Sequence, residues 1–399
     1  MLGTTIKLVV QTLFIYLYYE KDLFSFFIII SMPEIWLGYG STDVVLDIKQ
    51  ENLLHCYPEL NLLSDENIKE ILTDIKFSTK TLIFPFSTSK SILKIIAFLI
   101  EINKTDKTKE IEIGTFSEYF LQIKNHFDDN IRIFQMDKKD FYENIKKFDS
   151  VIFISKIGYE PLFGFSGTPS MLTRNCMNGL MDEIFHSTEI ISPNSGQIGD
   201  PLKIALEFYD KLGLYSIEVL SNQYGISRLY CGFNSSFIIS SISDFKSHTK
   251  FNFNEQKSLI ISAGAEPENH TTLNNSLYSL WNSIGILKNQ GMAVLLAENS
   301  HGIGDGALTM YLEGKLNLSQ IKKINYVNGL EHLIYLENLR NEYYLGLVSS
   351  LPFHYTKTKL GFNTFNNVKE VLQNMLTRYG KSNKIMICPD PSITFLIKQ

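Results

Sequence analysis

GYEPLFGFSGTPS, Gly158–Ser170, is the stretch whose reading decides the fold. It follows the apolar run Val151–Ile154 and precedes Met171–Phe185, a segment that can wind as a helix carrying His186 near its end. Glycine and proline recur through the stretch, and neither suits the interior of a helix or a ladder strand. Small residues gather at Ser166, Gly167, Thr168 and Ser170, where a ligand can approach the backbone. A strand, a small-residue loop and a helix, in that order, form the layout of an α/β binding crevice. The same residues also suit a tight structural turn.

Outward from this stretch, strand-like and helix-like runs alternate. Glu34–Gly38 and Val44–Ile48 read as a hairpin, and Thr81–Phe84 as a buried strand before the helical run Ser89–Glu101. Asp200 and Pro201 open a helix with a buried stripe at Leu202, Ala205, Leu206, Tyr209 and Leu212, and Gly213 ends it. The polar run Asp244–Lys257 reads as a linker. Beyond it, Ser258–Ser262 is a strand, Thr271–Leu287 a helix, Met292–Ala297 a strand, Asn367–Tyr379 a helix and Lys384–Cys388 a strand. Such alternation predicts an α/β fold: two α/β domains with mostly parallel sheets and an interdomain cleft. The expected division is an apolar extension at residues 1–31, a first domain at 32–245, a linker at 246–257 and a second domain at 258–399. The loops at 85–90, 158–170, 263–270 and 298–306 all follow strands and are expected to converge on the cleft.

The chain has 399 residues, 44% of them hydrophobic and 20% charged, enough for a sizeable core. A net charge of −5 without a long basic run argues against a nucleic-acid partner. Cys56, Cys176, Cys231 and Cys388 are scattered, which excludes zinc-site spacing and fits a reducing cytoplasm. In residues 1–31, Glu20, Lys21 and Asp22 split two apolar runs, against a continuous membrane span. The preferred account starts translation at Met32; a membrane anchor is the alternative, and a membrane is a partner only if residues 1–31 are real.

Three local patterns compete for chemistry. Gly302-x-Gly304-x-x-Ala307 matches a loose dinucleotide fingerprint, but no acid follows at the required distance. Gly164-Phe165-Ser166-Gly167 suggests a nucleophile elbow whose last glycine is replaced by Thr168. Glu266, Glu268 and His270 form a polar cluster that suits a hydrated turn better than a metal site.

From about Pro33 onward the chain resembles the nickel-dependent lactate racemases. GFSGTPS at Gly164 is similar to that family's GFSGGxK loop. SAGAEPEN at Ser262 is similar to its GGxPxD segment, and LKNQGMAVLLAENSHGIG at Leu287 to its second glycine-rich segment. The resemblance implies a two-domain α/β protein, an isomerase that racemises or epimerises 2-hydroxy acids, and a nickel-pincer nucleotide attached to the last lysine of GFSGGxK. Ser170 stands at that lysine and cannot form the link. Ser166, Gly167 and Ser170 remain the cofactor-binding candidates, and His186, at the spacing of the family's nickel ligand, the metal candidate. The family's DxxR loop falls on Phe86–Lys90, where only Lys90 supplies a charge. Its histidine before GFSGG falls on Glu160–Phe163, its GTH histidine on Phe116, and its glutamine on Asn274, the one weak catalytic candidate. Without the lysine and both histidine bases, hydride-capture racemisation lacks its parts. Two functions are therefore expected as alternatives: a 2-hydroxy-acid isomerase with an altered cofactor, or a non-catalytic protein that binds a small anion or regulates through it.

Overall fold

The structure is a computed structural model that describes residues 34–104, 108–127, 130–187, 189–264 and 266–399. The reading of residues 1–31 as an extension or anchor lies outside the described residues. Among the described residues no helix is long and apolar enough to cross a membrane.

Two six-stranded sheets carry the fold, as the α/β reading expects. The first runs in the order Gly225–Phe233, Tyr215–Asn222, Ser150–Lys156, Lys80–Pro85, Glu110–Thr115, Arg132–Gln135. Only its first pair is antiparallel. The second is wholly parallel: Asn363–Phe365, Tyr344–Val348, Leu287–Leu296, Gln256–Ser262, Ile385–Cys388, Leu53–His55. Central strands such as Val151–Ile154 and Leu259–Ile261 are apolar and buried, because helices cover both faces of a parallel sheet. Local chemistry sets the helix ends. Ser64, Ser89, Asn234, Thr272 and Asn367 each accept a main-chain N–H at a helix start, and Gly213 closes Asp200–Leu212 in the left-handed region at φ 58°.

Three sequence expectations need correction. Residues 34–55 pack with the second sheet: Leu53–His55 pairs with Ile385–Cys388, and Ile35, Leu37 and Leu46 share a core with Ile260, Val294 and Ile387. The polar run 246–257 is no linker. It completes the helix Ser235–Thr249, whose Phe245 and Thr249 are buried, and forms the strand Lys250–Phe253 against Phe395–Lys398. The helix expected over Met171–Phe185 is two, Thr168–Cys176 and Asn178–Ser187, broken at Met177 (φ −132°, ψ 65°).

Candidate functional site

The loop that opened the reading is pinned by its own contacts. Gly158–Glu160 pairs with Gly164–Ser166 in a short hairpin, and Gly167 precedes the helix Thr168–Cys176. Ser170 is 1% exposed. Its hydroxyl accepts from Gly167 N at 3.1 Å and donates to Gly167 O at 3.0 Å. The carboxylate of Glu218 meets the N-terminus of this helix: Thr168 N donates to it at 3.1 Å and Ser155 Oγ at 2.5 Å. A buried anion at a helix N-terminus is favourable, although burial pushes the Glu218 carboxyl up. Glu218 thus occupies the place a ligand anion would take. A Cβ on Gly167 would lie 3.0 Å from Glu218 Oε2, and Ser166 donates weakly to Lys156 O at 3.4 Å.

One turn beyond Ser170 stands Arg174, a residue the sequence reading missed. Its guanidinium, 12% exposed, joins Glu331 Oε1 at 2.9 Å, Tyr326 Oη at 2.9 Å and Glu160, and lies over the rings of Phe163 and Tyr278. Glu160 belongs to the first half of the chain and Glu331 to the second, so the cluster locks the two together. Burial raises the Glu160 carboxyl despite Arg174. For Glu331 burial acts the same way, but Arg174, His332 and hydrogen bonds overcome it and hold the carboxyl low. Asn274, 4% exposed, lies against this cluster one turn before Tyr278, and its main-chain O meets His332 Nε2 at 3.0 Å. His332 accepts from Trp281 Nε1 at 3.0 Å, and burial pushes its imidazole down to about 4.

The candidate residues therefore separate. Ser166, Gly167 and Ser170 share one turn, and Asn274 sits beside the arginine cluster. His186 is exposed near the end of Asn178–Ser187, with its ring against Phe185. Among the described residues no group of three or more His, Cys, Asp or Glu could hold a metal. The four cysteines are free thiols.

An open cleft of ≈ 1090 Å³ lies elsewhere, beyond the carboxyl ends of strands from both sheets. Thr88–Ser91 follow the strand Lys80–Pro85, Gly264 and Glu266–Glu268 follow Gln256–Ser262, and Pro389 and Asp390 follow Ile385–Cys388. The hairpin tip Gly38–Asp43 and the turn at Asn222–Gly225 complete the walls. Loops 85–90 and 263–270 thus converge as expected, whereas 158–170 and 298–306 supply no lining residue. At the cleft the halves also meet through Lys156 Nζ and Glu266 Oε1 at 2.7 Å, and through Thr88 Oγ1 and Glu268. Burial, then Glu266, raises the Glu268 carboxyl, with Thr88 acting against them. The helix Lys90–Asn103 opens on the cleft with Ser89 as its cap and Lys90 exposed. A serine-rich turn running into a helix with a lysine at its first position was visible in the sequence, whereas Lys156 meets Glu266, and the segments carrying His270 and Asp390 meet, only in the fold.

An α/β protein with two six-stranded, mostly parallel sheets and a cleft at the strand ends is the class these observations define. The fold is that of lactate racemase. The lactate racemase apoprotein from Thermoanaerobacterium thermosaccharolyticum superposes with a TM-score of 0.73 at 15% identity, over 91% of this chain and 99% of that one. A structural-genomics protein from Thermotoga maritima superposes with a TM-score of 0.61 at 13% identity, over 85% of this chain and all of that one (100%). No family model and no curated protein matches the sequence.

Proposed function

We propose that this chain is a small-anion-binding protein on the lactate-racemase scaffold and does not carry out racemisation with a lysine-attached nickel-pincer nucleotide. The cofactor implied by the resemblance does not fit the residues at its positions. Ser170 offers no amine, and its hydroxyl already exchanges two hydrogen bonds with Gly167. Glu218 takes the adjacent helix N-terminus, and the Arg174 cluster fills the space one turn on. His186 is exposed, and among the described residues it belongs to no group of three or more His, Cys, Asp or Glu that could hold a metal.

The observation that carries the binding reading is the N-terminus of the helix Lys90–Asn103 opening on the cleft. Ser89 and Ser91 are buried there and Lys90 is exposed, a combination that favours an anion through N–H donors, dipole and charge. Lys156 is already paired with Glu266, and Lys94 with Asp65 at 2.5 Å, so Lys90 supplies the charge. Burial raises the Glu268 carboxyl in the same wall. Calorimetric titration with inorganic phosphate and with lactate tests the reading. Binding of either, weakened at least tenfold in Lys90→Glu, supports it; no heat with both at millimolar concentration refutes it.

The second reading, an isomerase of 2-hydroxy acids with an altered cofactor, is favoured by one observation: the shared fold over 99% of a lactate racemase. It requires nickel bound at His186.

A further inference from the structure

The geometry points to His270 as a recognition residue for hydroxyl groups, so that the cleft's ligand is a polyhydroxylated, sugar-like compound. The inference rests on the reading above for the ligand's charged end and on His270 for its hydroxyls. His270 is 1% exposed yet belongs to the cleft wall. Its Nε2 lies 2.8 Å from the main-chain O of Gly264. A carbonyl oxygen only accepts, so Nε2 carries the hydrogen and Nδ1 keeps its lone pair. That Nδ1 is buried and has no hydrogen-bond partner among the described residues. A buried acceptor of this kind remains uncompensated until a water or a ligand donates to it. Burial favours the neutral ring against the opposing charges of Asp390, Glu298 and Asp43, which keeps Nδ1 an acceptor.

The surroundings select among donors. Asp390, 3% exposed, holds Ser392 N at 3.1 Å and Ser392 Oγ at 2.6 Å on one oxygen. The buried Tyr57 hydroxyl faces Asp390 and Asn222 in the same wall. A hydroxyl group donates and accepts at once, which suits a wall holding an imidazole acceptor and a phenol donor. A purely carboxylate or alkyl ligand cannot donate to Nδ1. Trp36 and Tyr224, 42% and 44% exposed on the cleft wall, present aromatic surface to the apolar face of a sugar ring. An ammonium group is the competing donor, because Asp43, Glu298 and Asp390 all bear on His270.

Calorimetry on the full chain distinguishes these donors, with inorganic phosphate, ribose, ribose 5-phosphate, 2-deoxyribose 5-phosphate and O-phosphoethanolamine as probes. Ribose 5-phosphate is expected to bind about tenfold more tightly than inorganic phosphate, the equivalent of one well-made hydrogen bond. Removing its 2-hydroxyl is expected to lose part of that advantage. His270→Gln keeps a donor near the Nε2 position for Gly264 but removes the Nδ1 acceptor. It should abolish the tenfold advantage and leave phosphate affinity and the thermal midpoint unchanged. His270→Asn, with a polar atom near Nδ1, should retain part of it. Equal affinity for phosphate and ribose 5-phosphate in the native chain overturns the inference whether or not the variants fold, as does tighter binding of O-phosphoethanolamine. Ribose binding without phosphate binding would refute the anion reading while leaving this one standing; binding of no probe overturns both.

Discussion

Two loops, each following a buried parallel strand, have opposite fates in this molecule. Gly158–Ser170 is closed: its helix N-terminus is met by Glu218, its serine is bound to its own main chain, and Arg174 beyond it is held between Glu160 and Glu331. Phe86–Lys90 is open: its helix N-terminus faces a cleft of ≈ 1090 Å³ with a lysine exposed beside it. The same local device, a helix start presenting N–H groups, is structural where the chain supplies the anion and, under the proposed function, a binding site where it does not.

The sharpest way to break the comparison is to open the closed side. Arg174→Met would leave Glu160 and Glu331 buried without their cation. The expected loss is about 3–5 kcal/mol in urea unfolding; a loss under about 1 kcal/mol would mean the cluster does not hold the halves together. Next is acid. The folded pKa of His332, about 4, lies below its ordinary 6.5. Its contribution is therefore fully present above pH 6.5 and is lost as the pH falls toward 4, up to roughly 3 kcal/mol. The buried carboxyls with raised pKa, Glu160 and Glu218, slope the opposite way. The readout is therefore the difference between the native chain and His332→Gln, measured by urea unfolding at pH 7 and pH 4.5: the native chain should lose more stability.

Smaller effects sharpen the contrast. Ser170→Ala should cost about 1 kcal/mol, the value of a capping contact, and leave anion affinity unaltered. Lys90→Glu should do the reverse, moving stability by no more than about 0.5 kcal/mol while weakening anion binding. If the Ser170 variant lost the anion and the Lys90 variant did not, the open and closed regions would have been assigned the wrong way round.

Much of the architecture was legible because it rests on local chemistry. Ser89, Gly213 and Asn367 mark helix ends in the sequence and in the structure. The apolar runs of parallel strands needed only their neighbours along the chain. Leu53–His55 was misplaced because parallel pairing joins residues over 300 positions apart, as Leu53 with Ile385 shows, and the hairpin because its packing against Ile260, Val294 and Ile387 is equally distant in sequence; no local signal encodes either. The linker reading failed because a half-buried helix such as Ser235–Thr249 looks polar in composition while Ile238, Ile242 and Phe245 still face inward. For the site, spacing put His186 at the distance of a metal ligand, but the break at Met177 starts a second helix and leaves the ring exposed. Arg174 and Asp390 went unread, and His270 was read only as part of a hydrated polar turn, because segments distant in sequence come together at these residues only in the fold.

The most direct test is elemental analysis of the chain produced together with the enzymes that make the nickel-pincer nucleotide, then assayed for interconversion of D- and L-lactate. Less than about 0.1 nickel per chain and no interconversion is the result the proposed anion-binding role predicts. Stoichiometric nickel that disappears in His186→Ala, with racemisation, would contradict it.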